Sequence, residues 1–258
     1  MAEAAIRVER RGGVVRCTLD RPPLNLLEPG LIGSLHATFD TLVADPTVRL
    51  AVVTGAGRAF SGGMDVRVLR DLDAGTATAL ISALHDAIEA VHKAPFPVLA
   101  AVNGHALGAG FELALACDLR LAAAEATFGL PEVRVGVPSV IQAALLPALV
   151  GPGRAAELLL TGSSIGAEQA LGWGLVNRVV ERAGFEAAVE TMSAAITACA
   201  PAAVRLQKQL IVRWRESDLP TAVRAGIAAF AASYATGEPR EGTTAFLEKR
   251  PPRFGEPS

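Results

Sequence analysis

The chain has 258 residues, long enough to bury a core without disulfide or metal support. A formal net charge of −2 and a pI near 6.1 exclude a general attraction to nucleic acid or anionic lipid, so an extended polyanion is not expected as the main ligand. The apolar fraction of 51% and the mean hydropathy of +0.36 are high and owe much to Ala-rich stretches, which suggests buried contacts between subunits.

In chain order, residues 5–9 and 14–19 are short β-prone runs joined by Arg11-Gly12-Gly13, which predicts a hairpin. After Pro29 the spacing turns helical, with Leu31, Leu35, Phe39, Leu42 and Val43 on one face. Residues 48–54 read as an apolar strand ended by Gly55-Ala56-Gly57. A helix over 77–93 leads to a second apolar strand at 97–102, closed by Asn103-Gly104. A helix near 108–116, a third strand near 118–123 and helices from about Ser139 come next. Strands alternating with helices predict β-α-β units and a largely parallel inner sheet covered by helices. From 185 to 249 the pattern is nearly all helical, with Pro201 and Pro220 at helix starts. The expected fold class is α/β: a β/α body over residues 1–184 and a helical C-terminal segment over residues 185–258.

Cys17, Cys117 and Cys199 are far apart and outside any CxxC spacing, as expected for reduced thiols. His36, His85, His92 and His105 form no HxxxH or HxH pair, and no metal site is expected. The first residues lack the apolar core of a secretory leader. The longest apolar stretch, 137–150, is interrupted by Pro138, Ser139, Gln142 and Pro147 and is too short to span a bilayer. A cytoplasmic location with no membrane partner is expected.

Two strand-to-helix junctions place small residues where a backbone can approach a ligand: Ala59-Phe60-Ser61-Gly62-Gly63-Met64-Asp65 and residues 103–112, which include Gly108-Ala109-Gly110. Glycines there leave N–H groups uncovered, and a helix start adds unpaired donors, so two N–H groups aimed at one point would make an oxyanion hole. Taken singly, both are also ordinary tight turns. Glu112 lies three residues beyond Ala109 and returns to the same helix face, beside those donors. Glu132 comes after Pro131 in a turn entering another apolar segment. Alone, either carboxylate reads as a first-turn acid satisfying a helix start.

The ordered set of segments resembles the enoyl-CoA hydratase/isomerase (crotonase) family over nearly the whole chain. It comprises Arg21-Pro22 with Asn25, residues 59–65, residues 101–114, Cys117-Asp118, Phe128-Gly129-Leu130-Pro131-Glu132, Thr161-Gly162, Gly174-Leu175-Val176-Asn177, Glu241-Gly242 and residues 245–250. The resemblance implies a crotonase-like ββα spiral core, with residues 185–258 as a helical trimerisation segment and a homotrimer or homohexamer as the assembly. It implies that the Met64 and Ala109 N–H groups hold a thioester oxygen, with Gly63, Asp65 and Gly110 around them. Glu112 and Glu132 correspond to the two acid/base glutamates of the hydratases, whereas isomerases typically keep only the second. Leu24, Asn25, Leu26, Ser61, Phe246 and Lys249 are the implied CoA contacts, the last two often across a subunit boundary.

The resemblance further implies an acyl-CoA thioester substrate with no cofactor beyond the CoA it carries, and hydration of a trans-2-enoyl-CoA in fatty acid metabolism. The alternatives are an enoyl-CoA isomerase, another CoA-thioester lyase such as a carnitinyl-CoA dehydratase, or a non-catalytic acyl-CoA- or RNA-binding relative. The chain departs from the hydratase pattern at residues 136–142: Ser139 stands at a glycine position that helps hold the reacting water. Phe111 is larger than the residue often found beside the first glutamate and reads as core packing or a narrower acyl pocket.

Overall fold

The computed structural model describes residues 5–254. β1 (Ile6–Arg11) and β2 (Val14–Leu19) pair antiparallel, and Arg11, expected in the turn, is the last rung opposite Val14. The turn shrinks to Gly12-Gly13 because Gly12 takes the left-handed region at φ +58. α1 (Pro29–Ala44) opens on a proline that is costless at a helix start. It buries Leu31, Ile32, Leu35, Phe39 and Leu42, but Val43, expected on that face, turns to solvent. Ile32 completes the stripe instead.

The chain then runs twice through the same step. β3 (Leu50–Gly55) leads into the short β4 (Ala59–Ser61), α2 (Val66–Arg70) and α3 (Ala74–His92), and β5 (Val98–Val102) leads into β6 (His105–Leu107) and α4 (Ala109–Ala116). A third step, β7 (Leu119–Ala123) into β8 (Thr127–Gly129), ends in a 3₁₀ turn over Pro131–Val135. Each step leaves a six-stranded sheet, ordered β1-β2-β3-β5-β7-β10, and enters a four-stranded one, ordered β4-β6-β8-β9. This is the ββα spiral the resemblance implies. The second sheet adds to the expectation drawn from the residues: 59–61 and 105–107 read as parts of strand-to-helix junctions, yet they are short strands that pair in parallel with each other. Three residues are too few to carry a period-2 signal.

The remaining elements are α5 (Leu146–Val150), α6 (Pro152–Thr161), β9 (Ser164–Gly166), α7 (Ala167–Gly172), β10 (Arg178–Val180), α8 (Phe185–Thr197), α9 (Pro201–Glu216), α10 (Leu219–Ser233) and α11 (Glu238–Leu247). Against the helix expected from about Ser139, residues 139–141 are irregular and a single 3₁₀ turn, Gln142–Leu145, precedes α5. The larger sheet is parallel beyond its hairpin edge, and α8 packs Phe185 and Val189 on the face made by Leu50, Val52, Leu99 and Leu121.

Buried polar groups tie the loops that build the site. Asn103 donates from Nδ2 to Gly55 O (2.9 Å) and Gly57 O (3.1 Å), and its Oδ1 accepts from Gly55 N (3.1 Å). The buried Arg120 donates to Leu175 O (2.6 Å) and Cys117 O (2.7 Å), satisfying carbonyls that end α4 and precede β10. Lys208 of α9 is 2% exposed and donates to Asp118 Oδ1 (2.6 Å) and His92 O (2.8 Å), anchoring the C-terminal helices to the body. Among the described residues no single helix is long and apolar enough to cross a membrane.

Candidate active site

The two glycine-bearing junctions of the sequence follow the carboxyl ends of the neighbouring parallel strands β4 and β6. Gly63 has a φ of +84, and a Cβ there would lie 2.7 Å from Leu107 O and 3.3 Å from Ala109 N. Only glycine permits this approach, which brings the residue preceding Met64 against the start of α4. Ala109 is the first residue of α4, whose leading N–H groups have no intrahelical acceptor. Among the described residues neither the Met64 nor the Ala109 N–H has a hydrogen-bond acceptor. The pair is therefore free for a ligand oxygen, with the start of α4 adding a favourable dipole.

Glu112 and Glu132 both face the cavity in front of these donors. Glu112 is 3% exposed, and its Oε1 accepts from Ala143 N at 3.0 Å. Burial pushes its carboxyl up to about 7, against the opposing hydrogen bond from Ala143 and with added repulsion from Glu132. Glu132 sits in the 3₁₀ turn after Pro131, and its Oε2 accepts from the Ser139 hydroxyl at 2.8 Å. Its Oε1 reaches back over Gly108, where a Cβ would lie 2.8 Å away. One carboxyl is thus sealed and proton-retaining, while the other is half-buried and held by a hydroxyl.

The cavity has a volume of about 560 Å³. Its far wall is apolar, built from Val66, Leu69 and Leu72 around α2 and from Leu80, Ile81 and Leu84 on α3. A capping box between Asp73 and Thr76 starts α3 at the rim. Two free N–H groups, two carboxyl groups and an apolar cavity wall together suit a thioester with an aliphatic chain. The sequence profile of enoyl-CoA hydratases and isomerases matches residues 9–257. The chain belongs to that family. A crotonyl-CoA hydratase of Syntrophomonas wolfei is 37% identical over 98% of this chain and 99% of its own length. The carnitinyl-CoA dehydratase of Escherichia coli K12 is 34% identical over 96% of this chain and 97% of its own. An enoyl-CoA hydratase structure from Mycobacterium smegmatis superposes with a TM-score of 0.95 at 34% identity, covering 98% of this chain and all of that one. The fold is accordingly the crotonase fold.

The residues singled out in this enoyl-CoA hydratase/isomerase sequence take different places around the cavity. Met64, Gly63, Ala109 and the two glutamates line the cavity. Asp65 caps α2 and is held by Arg67, with a pKa lowered first by that side-chain hydrogen bond. Gly110 is pressed against Ser61, where a Cβ would meet Ser61 Cβ at 2.6 Å.

Asn25 and Ser61 are fully buried: Asn25 Nδ2 donates to Ala59 O (2.8 Å) and Ala56 O (2.9 Å), and Ser61 donates to Asn25 O (2.8 Å). Leu24 O accepts from Gly62 N (2.7 Å), and Leu26 packs over Gly62. These four shape the junction from behind. Phe246 and Lys249 do not line the cavity of their own chain, and Phe246 is 83% exposed. Phe111 packs on Phe128 at 5.5 Å and is wholly buried, so it belongs to the core and not to the cavity wall. Burial pushes the Cys17 and Cys117 thiols up to about 12, which leaves neither as a nucleophile at neutral pH.

Two parts of the site escape a reading of the residues alone, the α2–α3 wall and the Ala143 anchor. The apolar face of α3 is visible in the sequence but indistinguishable there from core. A backbone N–H that any residue supplies has no sequence signal.

Proposed function

We propose that the protein reversibly adds water across the α,β double bond of a trans-2-enoyl-CoA. The observation that carries this reading is two carboxyl groups facing one cavity in front of two free N–H donors. The thioester oxygen would accept from Met64 N and Ala109 N, and each such donor stabilises an enolate-like transition state by about 3 kcal/mol in comparable sites. Water forms its bond to Cβ while giving a proton to Glu112. The π electrons move onto the thioester oxygen, and Glu132 delivers a proton to Cα as the enolate collapses.

The pair must therefore hold one proton between its members for either direction of the reaction. Burial keeps that proton on Glu112 up to about pH 7, which poises the resting enzyme for dehydration. Hydration starts from the tautomer with the proton on Glu132.

Glu112→Gln and Glu132→Gln should each lower hydration at least ~100-fold while CoA binding persists, because the N–H donors belong to the backbone. Loss of the conjugated enoyl-thioester absorbance measures the rate, and mass spectrometry identifies the product. If only Glu132→Gln mattered, a one-carboxylate isomerase mechanism would replace this one. If neither mattered in a folded enzyme that binds CoA, the hydratase reading would fail. The similarity to a carnitinyl-CoA dehydratase sustains a second reading with the same pocket and a polar acyl group, separated by assaying both acyl types.

We also propose a homotrimer or a dimer of trimers built on the helical segment 185–258. Leu219, Val223, Ile227, Phe230 and Tyr234 form an exposed apolar row along α10 and its end, suited to another copy. Phe246 and Lys249 would then contact the CoA of a neighbouring copy. Light scattering that finds a stable, fully active monomer would sink this assembly.

A further inference from the structure

Ser139 is not part of the acid/base pair, yet it makes the one side-chain hydrogen bond to Glu132 among the described residues, Oγ to Oε2 at 2.8 Å. The other carboxyl oxygen, Oε1, is the atom that would lie 2.8 Å from a Cβ on Gly108. Gly108 immediately precedes Ala109, whose N–H is one of the two free donors. The two oxygens of one carboxyl group therefore face different surroundings. Oε2 is committed to a hydroxyl, whereas Oε1 lies against Gly108, next in sequence to the Ala109 donor.

We infer that Ser139 is a positioning residue for α-proton transfer, fixing the Glu132 carboxyl so that Oε1 alone exchanges a proton with substrate Cα. This role rests on the hydratase reading. A carboxyl oxygen that accepts a hydrogen bond from a hydroxyl is the poorer site for a proton, so the proton resides on its partner oxygen. The same bond holds the side chain against rotation about its terminal torsion, which is otherwise broad. In the hydration direction Oε1–H breaks as Cα–H forms. In dehydration Oε1 takes the proton while the C–H electron pair moves into the enolate held by Met64 N and Ala109 N. Ser139 exchanges no proton in either direction. The segment 139–141 is irregular and offers no other side-chain donor to Glu132. Removing the hydroxyl therefore leaves the carboxyl unheld.

The test compares Ser139→Ala and Ser139→Thr with the wild-type enzyme on crotonyl-CoA, together with the ¹³C resonance of the Glu132 carboxyl, assigned by its absence in Glu132→Gln. Ser139→Ala should lower kcat about tenfold with KM changed less than about twofold, the pattern of an interaction needed in the transition state. Ser139→Thr, which keeps the hydroxyl, should restore most of kcat. The Glu132 resonance should move in Ser139→Ala and stay in place in Ser139→Thr. Unchanged kcat in Ser139→Ala, or a resonance that moves in neither variant, overturns the inference while leaving the hydratase reading intact. If both variants are slow, the resonance decides: movement confined to Ser139→Ala supports the positioning role. A wild-type enzyme that hydrates no enoyl-CoA removes the functional reading and this role with it, even where the resonance shows the bond itself.

Discussion

Ala143 N donates to Glu112 Oε1 at 3.0 Å, yet hydrogen bonding from the backbone does not offset the burial of Glu112, whose carboxyl rises from 4.5 to about 7. The folded state then holds more protons than the unfolded chain between those two values, so stability falls as pH rises through the window and is flat above it. The full difference is at most about 3 kcal/mol. Glu112→Gln keeps an oxygen for Ala143 N and removes the titration. It should match the wild type near pH 5 and be more stable by up to about 3 kcal/mol at pH 8. Urea unfolding at fixed protein concentration measures this, and equal wild-type stability at both pH values would show that Glu112 ionises freely in the folded protein.

The same proton governs the rate. Hydration and dehydration both begin from an acid/base pair holding one proton, so kcat/KM should fall about tenfold per pH unit above about 7 in both directions. Rate profiles with enoyl-CoA and with 3-hydroxyacyl-CoA should therefore superpose after scaling. A descending limb displaced by more than about a unit and a half would mean that another group controls the proton.

Gly108 separates Glu132 from the α4 donor. Its φ is +54, and an added Cβ would sit 2.8 Å from Glu132 Oε1. Gly108→Ala should displace the carboxyl and strain the turn, lowering kcat about 100-fold, since a positioned proton donor contributes that order of rate. Free CoA should bind nearly as before, by calorimetry. A normal kcat in the folded variant would remove Oε1 from the reaction path.

The sheet-forming runs, the helical C-terminal segment and the two glycine junctions are legible in the amino-acid order, because each is a local signal. Glycine at 63 and 108 is a demand of backbone geometry, and apolar runs such as 50–55 and 98–102 need no partner to be read. Glu112 and Glu132 stand out as well, through the order of motifs that marks the family.

What these residues face is set by the folded chain as a whole. β4 and β6 have three residues each and exist because they pair with one another, so no window of sequence reveals them. Asn25 and Ser61 have the look of ligand contacts, but folding turns them inward to carbonyls and amides that would otherwise be buried unpaired. Glu112 and Ser139 acquire their properties from atoms distant in sequence, respectively the enclosing core with Ala143 N and the carboxyl of Glu132. Local propensity is written residue by residue, whereas desolvation and hydrogen bonding depend on which surfaces the chain brings together.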